Sequence, residues 1–231
     1  MIPVLDSPRA RTVPVVNLGL IVANVAVFLY ELTLSADQLQ TFFLDWGVVP
    51  ARLTSWVEGP TGWEAPASVL TSMFIHGGWL HLLGNMLFLW VFGDNVEDAM
   101  GHVRYLLFYL LAGVGAAALQ VFVDQQGVVP MVGASGAISG VLAGYLVMFP
   151  GAIVGVVVPF FWFFGPLPVP AAFLIVFWFI VQLFNGLVSL GVQTVETGGG
   201  IAFFAHVGGF LTGLLLAFLL RPWRRRRYHP Y

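Results

Sequence analysis

The chain has 231 residues, of which 59% are hydrophobic and 9% are charged, with a mean hydropathy of +0.91 and a formal net charge of −2 at pH 7. This composition excludes a water-soluble globular protein and indicates an integral membrane protein. Because the chain has no cysteine, disulfides, thiol nucleophiles and thiolate metal sites are excluded as well.

Six apolar segments are predicted to span the membrane. A hydrocarbon core of roughly 30 Å requires about 20 apolar residues per helix. The predicted spans are residues 14–34, 78–92, 102–122, 133–149, 168–190 and 201–220. The first apolar run is longer than the roughly 7 to 15 residues of a signal-peptide core, which indicates a retained anchor. We therefore expect one all-α integral membrane domain over residues 1–231, a polytopic bundle of six transmembrane helices.

The arginines predict how this bundle is oriented. Six spans place both termini on one side of the membrane, and most of the basic residues fall on that side. These residues are Arg9, Arg11, Arg104, Arg221 and Arg224 to Arg227. Only Arg52 lies opposite. By the positive-inside rule, residues 1–13 form a cytoplasmic N-terminal segment and residues 221–231 form a basic cytoplasmic tail, with the protein in the cell (inner or plasma) membrane.

Two connections between the spans differ from plain solvated linkers. The first outer loop, residues 35–77, is rich in aromatic residues and is predicted to lie in the membrane interface. Residues 150–168 are apolar but interrupted by glycine and proline. For these we expect a cytoplasmic connection that is partly embedded in the bilayer.

Polar residues inside the spans are costly in lipid and are therefore functional candidates. His81 and Asn85 are four residues apart in "HGGWLHLLGN" and share one face of the second span. His76 and His81 would point about 140° apart on an ideal helix, which argues against a paired metal site. Ser135 comes early in the fourth span and His206 early in the sixth. By the alternation of spans, Ser135, His206, His81 and Asn85 all lie near the outer face.

A lone polar residue in a span is usually a structural hydrogen-bonding group. We interpret four other polar residues in this way: Asn24, Gln120, Gln182 and Asn185. Ser135 and His206 together allow a catalytic interpretation, because a buried neutral imidazole can accept the proton of a hydroxyl nucleophile.

Small residues predict that the fourth and sixth spans pack closely. They recur at every fourth position, as Gly136, Gly140 and Gly144 and as Ala205, Gly209 and Gly213. Such rows let helix backbones approach each other, which would bring the Ser135 hydroxyl towards the His206 imidazole. The side chains of Asn85 and His81 and the Ser135 backbone N–H could then stabilise an oxyanion. Because no carboxylate is placed to orient His206, the sequence favours a two-residue dyad over a triad.

Three segments, "HGGWLHLLGNMLFLWVFGDNVED", "GASGAISGVLAGYLVMFP" and "AHVGGFLTGLLL", resemble the rhomboid family of intramembrane serine proteases. The resemblance runs from the aromatic first loop to the sixth span and implies the six-span bacterial core. It implies that Ser135 is the nucleophile, that His206 is its base and that His81 and Asn85 line the oxyanion hole. The Gly-x-x-x-Glu-x-x-x-Gly pattern centred on Glu97 is then structural.

The same resemblance implies hydrolysis of a peptide bond in or next to a transmembrane helix, close to the outer face and without a metal or cofactor. Its partners would be transmembrane protein substrates and the lipid bilayer, with no nucleic acid. The fifth span and residues 191–200 would belong to a lateral gate.

Competing classes lack their signatures in this sequence. There is no His-Glu-x-x-His motif of a metalloprotease, no pair of aspartates within the spans and no inverted repeat of a transporter. A rhomboid-like protein that binds transmembrane helices without cleaving them stays open as the alternative.

Overall fold

A computed structural model describes residues 2–8, 10–59, 62–158, 165–191 and 202–220, and this part of the chain is mostly helical. The α-helices are α1 (Val15–Glu31), α2 (Ala36–Trp46), α3 (Pro50–Glu58), α4 (Glu64–Thr71), α5 (Trp79–Phe88), α6 (Asp94–Met100), α7 (His102–Val123), α8 (Ser135–Met148), α9 (Ala171–Gly191) and α10 (Phe203–Leu220). A 3₁₀ turn, Ser72–Phe74, follows α4, and a π-helical turn, Leu89–Gly93, joins α5 to α6. The strands are β1 (Ile2–Asp6), β2 (Ile153–Val157) and β3 (Leu167–Pro170).

Among the described residues, three helices are long and apolar enough to cross a membrane: α7, α9 and α10. A fourth candidate is the pair formed by Glu64–Phe74 and Trp79–Met100, which is bent by 78°. The helices α1 and α8 are apolar but shorter, with 17 and 14 residues. At 1.5 Å per residue, α8 is only about 21 Å long. Length and hydropathy therefore support three or four spans, fewer than the six predicted from the sequence.

The prediction of an all-α fold is wrong in one respect, because the described residues include a three-stranded antiparallel sheet in the order β1-β2-β3. Leu5 of β1 pairs with Gly155 of β2, and Val154 of β2 pairs with Val169 of β3. Residues 150–168 are interrupted by glycine and proline and were predicted to be a cytoplasmic connection partly embedded in the bilayer, and no strand was predicted there. The run Ile153–Val157 is nevertheless rich in β-branched residues, which favour strands when neighbours supply the ladder.

Several predicted features lie outside the described residues. They are Arg9, the middle of the 150–168 connection, the proposed gate loop after Gly191 and the basic tail after Leu220.

The helices α7, α8 and α10 form the centre of the bundle, and glycines set the contact between α8 and α10. A Cβ atom on Gly209 would overlap the backbone carbonyl of Gly136, and one on Gly213 would overlap the backbone of Gly140. The two helix backbones therefore touch, with no room for a side chain between them. This contact confirms the close approach that the repeating small residues predicted.

The start of α1 is fixed by a carboxylate from a distant helix. Glu97 of α6 is fully buried, and its two oxygens accept hydrogen bonds from the backbone N–H groups of Val16 at 3.0 Å and Asn17 at 2.7 Å. His102 Nδ1 lies 2.5 Å from Glu97 Oε1, and the Tyr105 hydroxyl donates to Asn17 Oδ1. No side chain of its own caps α1, so Glu97 satisfies donors that would otherwise lack a partner.

Candidate active site

Ser135 is the first residue of α8, and the turn before it depends on a glycine. Gly133 has a φ of +121°, in the left-handed region that glycine adopts without strain. Its N–H donates to the Ser72 carbonyl oxygen at 2.8 Å, which ties the turn to the 3₁₀ segment. Because Ser135 begins a helix, its backbone N–H has no carbonyl partner one turn earlier. The turn therefore presents a hydroxyl and a free N–H at the same point.

His206 of α10 faces this hydroxyl. Its Nε2 lies 2.8 Å from Ser135 Oγ, a hydrogen-bond distance, and both side chains are half-buried. The contact follows from the packing of α8 on α10, because Gly209 lies three residues after His206 and touches Gly136, the neighbour of Ser135. One helix–helix contact thus sets the distance between the two groups.

The other ring nitrogen of His206 contacts α9. Gln182 Oε1 lies 2.7 Å from His206 Nδ1, and the Trp178 ring lies 5.8 Å from the imidazole, measured between centroids. An amide oxygen can only accept, so the contact is a hydrogen bond in the tautomer that carries its proton on Nδ1, and in that tautomer the lone pair of Nε2 faces Ser135. Gln182 is thus an interhelical hydrogen-bonding residue, as predicted, but its partner His206 was not predicted. The available signal was its position in the otherwise apolar run "FWFIVQLF".

His81 and Asn85 of α5 converge on the turn before Ser135. A Cβ atom on Gly133 would lie 2.6 Å from His81 Nε2 and 3.7 Å from Asn85 Nδ2. Both side chains therefore lie beside the turn that carries the Ser135 N–H. They can do so because their four-residue spacing places them on one face of α5, as the sequence predicted. Asn85 is buried, and its Nδ2 lies 2.9 Å from His76 Nε2.

His76 does not lie where the sequence analysis expected it. The angle of about 140° between His76 and His81 assumed one continuous helix, but α5 begins only at Trp79. His76 precedes the helix, and its ring centroid lies 5.1 Å from that of His81. The buried carboxylate of Glu31 accepts the His76 backbone N–H at 3.1 Å and holds this segment against α1. In the part of the chain that the structure describes, no group of three or more histidine and carboxylate side chains is arranged to hold a metal.

The first outer loop is folded and is joined to the segment that precedes Ser135. It contains α2, α3 and α4, and the ring centroids of Trp46 and Trp63 lie 6.3 Å apart. Val48 and Met131 exchange two backbone hydrogen bonds, of 3.0 and 2.7 Å. Because Met131 lies just before the turn at Gly133, this bridge fastens the loop to the Ser135 end of α8.

An apolar cavity of about 190 Å³ lies mainly between α9 and the end of α5 with its π-helical turn, and it shares Trp178 with the surroundings of His206. Its lining residues are Pro3, Phe88, Phe92, Leu142, Leu174, Ile175, Phe177, Trp178 and Val181. A hydroxyl on a neutral imidazole, next to N–H and side-chain donors, is an arrangement suited to acyl transfer. Here it lies between apolar helices, with apolar space next to it.

Comparisons with known proteins all point to one family. A family model described as the Rhomboid domain matches residues 63–223. The chain is 33% identical over 186 residues to RHOMBOID-like protein 4 of Arabidopsis thaliana, covering 75% of this chain and 39% of that protein. It is 34% identical over 167 residues to RHOMBOID-like protein 2 of the same plant, covering 69% and 42%. It is 27% identical over 231 residues to Rhomboid protease AarA of Providencia stuartii, covering 91% and 74%. The chain thus spans less than half the length of these plant relatives.

Proposed function

The chain belongs to the rhomboid family, whose domain model matches more than half of its residues, and on this premise we propose that it is an intramembrane serine endopeptidase. Its substrates are transmembrane proteins, cleaved within or next to a membrane-spanning helix near the outer face. The observation that carries the proposal is the 2.8 Å distance between Ser135 Oγ and His206 Nε2 in a bundle of apolar helices. A serine that served only to bond its own helix would not need a histidine from another helix.

The proposed reaction proceeds through an acyl-enzyme. His206 Nε2 accepts the Ser135 proton while Oγ attacks the carbonyl carbon of the scissile peptide bond. The resulting oxyanion is stabilised by the Ser135 backbone N–H and by the side chains of His81 and Asn85. His206 then donates its proton to the leaving amine. Water, activated by His206, hydrolyses the ester and restores the serine.

The substrate helix must unwind before it reacts. A carbonyl inside a helix is engaged in a backbone hydrogen bond, so the serine cannot approach it in an intact helix. We therefore expect good substrates to have small or helix-breaking residues near the cleavage site. This requirement selects among transmembrane helices without a specific side-chain pocket.

We propose a six-span arrangement in the plasma membrane, in which α1 and α8 join the candidate spans as short helices. In this arrangement residues 1–231 form one domain, residues 35–77 lie at the outer interface, and residues 1–13 and 221–231 are cytoplasmic. The arginines after Leu220 support this orientation, because basic residues next to a span resist translocation. A reporter fused after Tyr231 should be active only in the cytoplasm. Activity on the outer side would contradict the arrangement and the shared depth of Ser135 and His206.

The test of the function is cleavage of a tagged model transmembrane substrate by the parent protein and by Ser135→Ala. We expect the parent to release a smaller product and the variant to release none. Ser189→Ala is the matched control, since Ser189 bonds the Gly186 carbonyl one turn back in its own helix. It should cleave as the parent does. If parent and Ser135→Ala gave the same product pattern while the substrate still bound, a helix-binding protein without protease activity would be the better description.

A further inference from the structure

We propose that Gln182 is a positioning residue, which holds His206 in the one neutral tautomer that can take the proton from Ser135. This inference rests on the proposed protease function. It extends that function by giving the Ser–His pair a third, uncharged member on α9.

The two ring nitrogens of His206 make opposite demands. A neutral imidazole carries one N–H and one lone pair, and general-base catalysis requires the lone pair on the nitrogen that faces the hydroxyl. That nitrogen is Nε2, at 2.8 Å from Ser135 Oγ. Nδ1 must then carry the proton, and the oxygen of Gln182 lies 2.7 Å from it. In the other tautomer, a bare Nδ1 lone pair would face the Gln182 oxygen, and Nε2–H would point at the hydroxyl.

The surroundings of His206 hold Gln182 at this distance. Trp178 lies one turn before Gln182 on α9, and its ring flanks the imidazole at 5.8 Å. Phe179 stacks on Phe210 of α10, with ring centroids 4.3 Å apart and planes inclined by 27°. These two ring contacts join α9 to α10 on the turn next to Gln182. The amide oxygen is therefore presented by two anchored helices and not by a free side chain.

An amide has an advantage over a carboxylate at this position. A carboxylate on Nδ1 would place a charge between apolar helices, where charges are costly unless paired. A paired carboxylate would also stabilise the protonated imidazole and so oppose its action as a base at neutral pH. The neutral amide fixes the tautomer without either effect.

Gln120 provides a matched comparison. It is also a glutamine in a span, and its Oε1 accepts the backbone N–H of Ala205 at 3.2 Å, one residue before His206. It supports the start of α10 but contacts no ring nitrogen in the described structure. Loss of Gln120 and loss of Gln182 each remove one interhelical hydrogen bond next to His206. Only the loss of Gln182 removes the hydrogen-bond partner of His206 Nδ1.

The experiment compares Gln182→Leu, Gln182→Glu and Gln120→Leu with the parent in detergent or liposomes. For Gln182→Leu we expect kcat to fall about 10- to 100-fold with little change in KM, because the residue acts on the base and not on the substrate. Gln182→Glu keeps an acceptor oxygen but adds a charge, so it should recover part of the lost rate above the acid limb of its pH profile, and this limb should move to higher pH. Gln120→Leu should lower the melting temperature as much as Gln182→Leu but keep the parental pH profile.

A second readout does not depend on cleavage. The ¹⁵N chemical shifts of the His206 ring, measured in the Ser135→Ala background and assigned with His206→Ala, distinguish the two tautomers. We expect Nδ1–H when Gln182 is present and a mixture in Gln182→Leu. An unchanged tautomer in Gln182→Leu, or equal rates and pH profiles for the Gln182→Leu and Gln120→Leu variants, would overturn the inference. Failure of the proposed protease function would show separately, as an inactive parent or an active Ser135→Ala.

Discussion

Helix α8 packs against α10 backbone to backbone, whereas its contact with α9 borders an apolar cavity of about 190 Å³ that extends from Leu142 of α8 along α9 to the end of α5. On the first side, Gly136 and Gly140 meet Gly209 and Gly213 with no room for a Cβ atom. On the second side, large apolar side chains leave space unfilled. Much of one face of α9 is also exposed, including Phe173, Phe177 and Phe184. One helix therefore has a tight neighbour and a loose neighbour.

For the protease proposed above, this difference would keep Ser135 and His206 fixed while α9 remained the less tightly packed neighbour of α8. Ser135 and His206 belong to the tight pair, where separation would expose backbone that packs on backbone. Gln182 and Trp178 belong to α9, which these residues and Phe179 join to α10 but which does not pack backbone to backbone on α8. Under the proposed function, a substrate helix that entered beside α9 would leave the hydroxyl and the imidazole in place, provided that the ring contacts holding Gln182 stayed intact.

The largest effect on the cleavage rate is expected from removing the side chains proposed to stabilise the oxyanion beside Ser135. Asn85→Ala should lower the cleavage rate by roughly 10²- to 10³-fold, about 3–4 kcal/mol, because one of several donors is lost. His81→Ala should have a similar effect. The control is Asn24→Ala, the same substitution at a buried asparagine whose Nδ2 bonds the Leu20 carbonyl in its own helix. Rates are compared with melting temperatures, so that unfolding is separated from lost catalysis. If His206→Ala cleaved at a near-parental rate while His81→Ala was inactive, His206 would not be the general base and the proposed Ser135–His206 dyad would be wrong.

The next effect tests the tight contact itself. Gly209→Ala places a Cβ atom on the Gly136 carbonyl, so α8 and α10 must move apart. We expect the free energy of unfolding to fall by about 1–3 kcal/mol and cleavage to fall with it, because the Ser135–His206 distance lengthens. Gly19→Ala is the control, since no atom lies within 4 Å of its added Cβ. If Gly209→Ala melted and cleaved like the parent, the two sides of α8 would not differ in rigidity.

A smaller effect is expected from filling the loose side. Val181→Leu adds one methylene group towards the cavity and should raise the free energy of unfolding by about 0.5–1 kcal/mol. The same change should slow cleavage of a transmembrane substrate several-fold, because α9 is held more firmly. Val176→Leu on the exposed face of α9 makes the same change without cavity filling and should alter neither quantity. Faster cleavage by the Val181 variant would show that movement of α9 does not limit entry.

The smallest effect is a change in melting temperature with pH, and it is expected at Asp6 in the sheet. Asp6 of β1 accepts hydrogen bonds from Tyr145 of α8 and Asn95 of α6, and burial raises the pKa of its carboxyl to about 7. Between pH 4 and pH 7 the folded protein therefore keeps a proton that the unfolded chain has lost, so stability falls as pH rises through this window. Asp6→Asn removes the titration and keeps an acceptor oxygen. At pH 8 it should melt a few degrees above the parent, and at pH 4 the two should melt together.

The sequence was a good guide wherever periodicity and residue size decide the structure. The six apolar segments coincide with helices, and the rows of small residues correctly predicted the approach of α8 and α10. The sequence analysis failed where long-range pairing decides. The strand Ile2–Asp6 forms because β2, about 150 residues later, supplies its hydrogen bonds, and no local pattern in the first residues indicates this.

The candidate site was predictable where its residues lie on one helix and was not predictable where they lie on different helices. The spacing of His81 and Asn85 fixes their shared face within one helix, so it can be read from the sequence. Gln182 lies on a different helix from His206, and its side chain could have faced lipid, another helix or the imidazole. Which of these holds depends on the rotation of α9, which is set by the ring contacts of Trp178 and Phe179. The relative position of His76 and His81 was predicted wrongly because the prediction assumed one continuous helix, whereas α5 begins only at Trp79.

The capping of α1 by Glu97 has a consequence for biosynthesis. Val16 and Asn17 emerge from the ribosome about 80 residues before the carboxylate that accepts their N–H groups. At a synthesis rate of roughly 5–20 residues per second, the start of α1 waits about 4 to 16 seconds for its cap. Until then these donors lack their partner in the finished fold, and water at the membrane surface can take its place. The bond that completes the start of α1 can thus form only after the second apolar segment, residues 78–92, has been synthesised.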